Sequence, residues 1–227
     1  MPALVQALKD PEANVRMEAA AAFASIQPPA AAVVGPLITA LNDPDARVRA
    51  YAAEGLLEYG AAARDALPHL QEALKDPDAT VRRNAARALQ VIGAAAPSPE
   101  MIPALIQALG DPDPAAGGEA GTSLARLGRP AIPPLIEALK HPNPAVRRNA
   151  AWGLGEIKLP PAEAVPALIP LLTDGDAHVR RNAARTLGAI GAPAQAALPE
   201  LRRLARGDPD LEARNWATWA VQQIEGR

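Results

Sequence analysis

The chain has 227 residues, a formal net charge of −2 and no cysteine. That charge gives no global pull toward nucleic acid or an anionic membrane, and the missing thiols exclude disulfides and cysteine-ligated metals. No apolar run reaches the roughly 18 residues of a membrane span. Met1-Pro2-Ala3 places no basic segment ahead of an apolar stretch, so no leader and a cytoplasmic location are expected.

One phrase recurs along the chain. It opens at Asp10, Asp43, Asp76, Asp111, His141, Asp174 and Asp208, spaced 33, 33, 35, 30, 33 and 34 residues apart. A period in this range means one supersecondary unit stacked many times. The boundaries read as roughly 1–27, 28–60, 61–93, 94–128, 129–158, 159–191 and 192–227, all within one elongated domain covering 1–227.

Residues 67–93 show how the unit works. Leu67 to Leu74 predict a first helix, which Asp76-Pro77-Asp78 ends, because Pro77 cannot continue it. Asp78 then caps a second helix, as Asp45, Asp113, Asn143, Asp176 and Asp210 do in their repeats, with Glu12 the exception. Val81, Ala85, Leu89 and Ile92 recur at helical spacing as the buried stripe. The Leu89 column runs Phe23, Leu56, Leu89, Leu124, Leu154, Leu187 and Val221. The Ile92 column runs Ile26, Tyr59, Ile92, Leu127, Ile157, Ile190 and Ile224. Gly60, Gly93, Gly128 and Gly191 are expected to stop the second helices. Pro2, Pro68, Pro103, Pro133 and Pro166 lie eight residues ahead of their turns, with Pro36 one residue off, and predict a kink inside each first helix.

The fourth repeat departs from this pattern. Ala115-Ala116-Gly117-Gly118-Glu119-Ala120-Gly121 replaces the usual Val-Arg-Arg-Asn-Ala-Ala core, and Ala94-Ala95-Ala96-Pro97-Ser98-Pro99 leads into it. A decayed repeat, a hinge and a bare surface for a partner backbone all fit.

The proline, the Asp-Pro-Asp turn, the Val-Arg pair and the closing Leu-Gly resemble the HEAT repeat, in the short form found in phycobilisome lyases. Val179-Arg180-Arg181-Asn182-Ala183-Ala184-Arg185-Thr186-Leu187-Gly188 carries the likeness most fully. The resemblance implies an all-α fold, a right-handed α-solenoid of about seven stacked helix pairs. It also implies a ladder between repeats built from the turn Asp and the first helical Arg: Asp10/Arg16, Asp43/Arg49, Asp76/Arg82, Asp174/Arg180 and Asp208/Arg214. These are structural ion pairs, not catalytic acids.

No catalytic, cofactor or metal constellation is present. His69, His141 and His178 fall at unrelated repeat positions, and no phosphate loop or nucleophile elbow occurs. The informative face is the one opposite the buried stripe. A helical wheel puts Arg83, Arg87, Arg148, Trp152, Arg181, Arg185 and Trp219 there, and the resemblance implies that second helices line the concave surface. Arg and Trp are favoured at binding hot spots. Solvated or locally paired arginines fit as well. Asn84, Asn149 and Asn182, continued by Tyr51 and Trp216, form a column at the edge of that face. Asn149-Ala150-Ala151-Trp152 is similar to the peptide-holding residues of armadillo proteins, but hydrogen bonds between repeats fit the edge position better.

The expectation is a monomeric, non-enzymatic scaffold or adaptor, without cofactor or membrane contact, that holds an acidic or mixed-charge protein segment in this groove. Three other readings stand: a phycobilin-lyase-type enzyme or subunit, a nucleic-acid binder using the Arg/Trp stripe, and an engineered or excised module with no function of its own. The repeats vary too much for a strict consensus design.

Overall fold

A computed structural model describes residues 2–26, 29–95 and 99–226; the 96–98 stretch of the Ala/Pro lead-in therefore lies outside the described residues. No strand occurs among them. The chain divides into two compact units, residues 1–108 and 109–227.

The first unit holds α1 (Pro2–Ala7), α2 (Ala13–Ile26), α3 (Ala30–Ala40), α4 (Ala46–Glu58), α5 (Leu67–Ala73), α6 (Ala79–Ala95) and α7 (Ile102–Ala108). Here the second helices lie side by side, with α4 between α2 and α6, and the first helices α3 and α5 cover α4 and α6. The second unit holds α8 (Pro114–Leu127), α9 (Ile132–Ala138), α10 (Pro144–Glu156), α11 (Val165–Leu168), α12 (Ala177–Ile190), α13 (Leu198–Gly207) and α14 (Leu211–Glu225). It repeats the plan: α10 packs between α8 and α12, α12 packs on α14, and α9 and α13 back α10 and α14.

The N-caps form as the sequence predicts. Asp45, Asp78, Asp113, Asn143, Asp176 and Asp210 each accept a backbone N–H from the first turn of their helix. Phe23, Leu56, Leu89, Leu124, Leu154 and Leu187 are fully buried, so the main column is the core of each unit. Three expectations need correction. Ile26, the last residue of α2, is 62% exposed rather than buried. Gly93 does not end its helix, because α6 continues to Ala95 through alanines, the best helix formers. Gly128 and Gly191 do stop theirs, at φ 70° and 72°, a left-handed conformation that costs a side-chain-bearing residue more.

The third correction concerns the recurring proline. Pro68, Pro133 and Pro166 stand in the first turn of α5, α9 and α11. There the absent N–H has no intrahelical partner to lose. Each of these helices follows a 3-10 segment: Gly60–Ala66, Arg129–Ala131 and Ala162–Ala164. Ala66, Ala131 and Ala164 at the switch keep φ near −80° and ψ near −15°. The bend is thus a change of helix type just ahead of the proline. Pro36 does lie inside a helix, α3.

Candidate functional site

The recurring Asp and Arg charges join neighbouring repeats. Arg16 donates from Nε and Nη2 to the two carboxylate oxygens of Asp43, at 2.7 and 2.9 Å, and from Nη1 to the carbonyls of Asp10 and Pro11. Arg49 grips Asp76 in the same way, Arg180 grips Asp208, and Arg147, which follows a turn opened by His141, grips Asp174. Each Arg therefore ties its own turn to the next repeat's carboxylate, in the planar two-point geometry a guanidinium favours. Each Asp also accepts an N–H two residues on, such as Asp45 onto Asp43. Burial pushes the Asp43, Asp76 and Asp174 carboxyls up, but the Arg hydrogen bonds, the backbone N–H and the Arg charge outweigh it and hold them below the usual range. The Arg180 hydrogen bond does the same for Asp208. These acids tie neighbouring repeats together. Among the described residues no group of three or more His, Asp or Glu could hold a metal.

The Asn column forms bonds between repeats, as its edge position predicts. Asn84 donates to the carbonyl of Ala50, Asn149 to that of Leu109 and Asn182 to that of Arg148.

The predicted groove residues divide into three groups. Arg83 and Arg87 lie on α6 in the first unit, half-buried and exposed respectively, and neither pairs with an acid among the described residues. In the second unit Arg181 is occupied: it chelates Asp210, whose carboxyl it holds well below the usual range, and reaches Glu212 at 2.7 Å. Arg148 donates to the Oδ1 of its neighbour Asn149.

The remaining residues come together. Trp152 on α10 is half-buried, and its Nε1 donates to Thr122 Oγ1 on α8 at 3.3 Å. The Arg185 guanidinium lies over the Trp152 ring, 4.2 Å from its centroid, and 5.8 Å from that of Trp216. Its Nη2 donates to Glu156 at 2.6 Å, while Nη1 is buried without an acceptor. Trp216 meets Trp219 edge to face at 5.4 Å, and Trp219 covers Gly188, where a Cβ would collide with its ring. Helices α10, α12 and α14 thus carry one strip in the order Trp152, Arg185, Trp216, Trp219. Trp216 was missing from the sequence-based site because the wheel sets it at the edge. Its spacing of three from Trp219 was the available signal.

Stacked two-helix repeats, tied by a charge ladder and carrying an aromatic-basic strip on their second helices, define an α-solenoid. The chain belongs to the HEAT repeat family, whose model matches residues 1–90, 74–137 and 132–222. Among solved structures it is similar to the CpcE–CpcF complex of phycocyanin lyase from Nostoc sp. PCC7120, at 25% identity and TM-score 0.54, covering 97% of this chain and 93% of that one. An engineered protein shares 27% identity at TM-score 0.56, over 98% of this chain and 67% of the other. Yeast importin-β (Kap95p) shares the fold at TM-score 0.77 with 17% identity, 99% of this chain spanning 35% of its length. No curated protein matches the sequence significantly.

Proposed function

We propose that this chain is a non-enzymatic scaffold or adaptor that holds a protein segment of acidic or mixed charge against its second helices. Trp152 and Arg185 are the anchors, with Trp216 and Trp219 extending the surface. The observation that supports this most is the Arg185 guanidinium, which lies over one Trp ring, faces a second and keeps a buried Nη1 without an acceptor. A buried donor left unpaired costs roughly 1–3 kcal/mol, which a partner's acceptor would recover once the guanidinium turned outward, and Trp and Arg are the residue types that dominate binding energy. Arg83 and Arg87 offer a separate basic face on the first unit.

Selection of peptides from a random display library tests this reading. Binders should carry carboxylates, and Trp152→Ala should cost them at least about 2 kcal/mol. Binders indifferent to Trp152→Ala and Arg185→Ala would refute it. Arg185→Ala should also lower stability modestly, since it bridges to Glu156 and packs on Trp152.

A second reading rests on the likeness to the phycocyanin lyase subunits: a bilin-transferring enzyme or one of its subunits. Incubation with a bilin and its acceptor protein separates the two, because only a lyase would leave the pigment covalently attached. Binding that collapses steeply with added salt would instead indicate a nucleic acid.

A further inference from the structure

The first unit carries a cavity of about 300 Å³ on the second-helix face of α2, α4 and α6, apart from the Trp152–Arg185 strip. Its apolar part comes from Met17, Ala50 and the ring of Tyr51, which is 37% exposed. The polar groups around it are mostly acceptors. Asn84 is only 8% exposed. Its amide nitrogen is fixed on the carbonyl of Ala50, yet its Oδ1 accepts no hydrogen bond among the described residues. Asp78 receives both of its cap N–H bonds on Oδ1, so Oδ2 is open. Glu54 is half-buried and pairs with no cation among the described residues. The one cation on the lining, Arg47, is already held in a two-point bond by Asp45.

The geometry points to a binding site for an arginine side chain of a partner protein. A guanidinium brings five donors and no acceptor, which answers three open acceptors. Its flat face stacks on an aromatic ring, and Tyr51 supplies one. Two unpaired carboxylates give the charge complement. A carboxylate or phosphate ligand would meet mostly acceptors and like charge, with the Arg47 cation already engaged by Asp45. A lysine could satisfy fewer of these groups and cannot stack as a plane.

The test uses the full chain and three synthetic pentapeptides, acetylated and amidated, differing only in a central arginine, lysine or citrulline. Side-chain amide and aromatic NMR signals of Asn84 and Tyr51 should shift saturably with the arginine peptide. Citrulline keeps the shape but not the charge, and should bind about tenfold more weakly or worse. Glu54→Gln should weaken the arginine peptide by a similar factor, and Arg185→Ala should leave it unchanged. Failure to shift Asn84 and Tyr51, equal binding of citrulline, or equal binding of lysine overturns the assignment. Failure here is distinguishable from failure of the scaffold reading, because all three tryptophans lie in the second unit and report on that strip alone.

Discussion

Two junctions of the second unit solve the same packing task by different chemistry. Between α10 and α12 the Arg147–Asp174 rung crosses the interface, with side-chain exposures of 18% and 8%. Between α8 and α10 there is no rung, and both of its members are replaced: Gly117 stands where the Arg belongs and His141 where the Asp belongs. There the backbones close in instead. A Cβ on Gly121 would sit 2.8 Å from the Asn149 carbonyl oxygen, and one on Gly153 would sit 2.9 Å from that of Gly121. The His141 ring takes over the local duty of the missing carboxylate, its Nδ1 accepting the N–H of Asn143. The α10–α12 junction also holds a close glycine, Gly155, whose Cβ would meet Thr186 Oγ1 at 2.6 Å. It therefore combines close packing with a charge rung, whereas α8–α10 stacks by close backbones without one.

Breaking each junction in its own currency should expose the contrast. Asp174→Ala removes the acid from a partly buried pair and leaves Arg147 uncompensated, which should cost about 3 kcal/mol by urea unfolding. His141→Ala, at the equivalent position, should cost no more than about 1 kcal/mol, the worth of a cap. A result in which both cost the same would erase the distinction. Gly153→Ala should cost about 1–3 kcal/mol, because a backbone carbonyl cannot yield as a flexible side chain can.

Acid sharpens the comparison further. The ladder carboxyls Asp43, Asp76, Asp174 and Asp208 titrate below their ordinary value in the folded protein. Folding therefore gains stability that is fully present above the unfolded value near about 3.9 and is lost as pH falls through the lower folded values. Hydrogen exchange followed downward from about pH 4 should show α10–α12 and α12–α14 losing protection before α8–α10, which carries no such acid. Simultaneous loss would show that the ladder does not set acid stability.

Most of the architecture was legible because its determinants are local and repeated. A cap needs only its own turn, so Asp45 through Asp210 could be read directly, and the period-3.6 stripe marked the core. Gly93 misled because the alanines after it sustain the helix, and the prolines because a 3-10 segment ahead of them moves the bend off the α-helix. The exposed face was legible as a face, but its pairing was not. Whether Arg181 reaches Asp210, or Arg185 reaches Glu156 and Trp152, depends on side chains about 29–33 residues apart meeting across a repeat interface. Trp216 joined the strip only through its contact with Trp219.

The smallest effects come from rewriting the α8 face. Gly117→Arg alone would bring a guanidinium to a turn whose side-chain acceptor is an imidazole. Combined with His141→Asp it recreates both members of a rung, and the double variant should exceed the sum of the single ones by about 1 kcal/mol in a mutant cycle. Additive behaviour would mean that the close backbone approach at Gly121 and Gly153 holds the two groups out of register. Gly118→Ala makes the milder change. No atom lies within 4 Å of a Cβ there, so the substitution should gain up to about 1 kcal/mol from helix propensity alone. If that variant is more stable yet binds selected peptides as before, the bare α8 face is not a binding surface. If binding falls while stability rises, the glycine is kept for a partner backbone that approaches it closely.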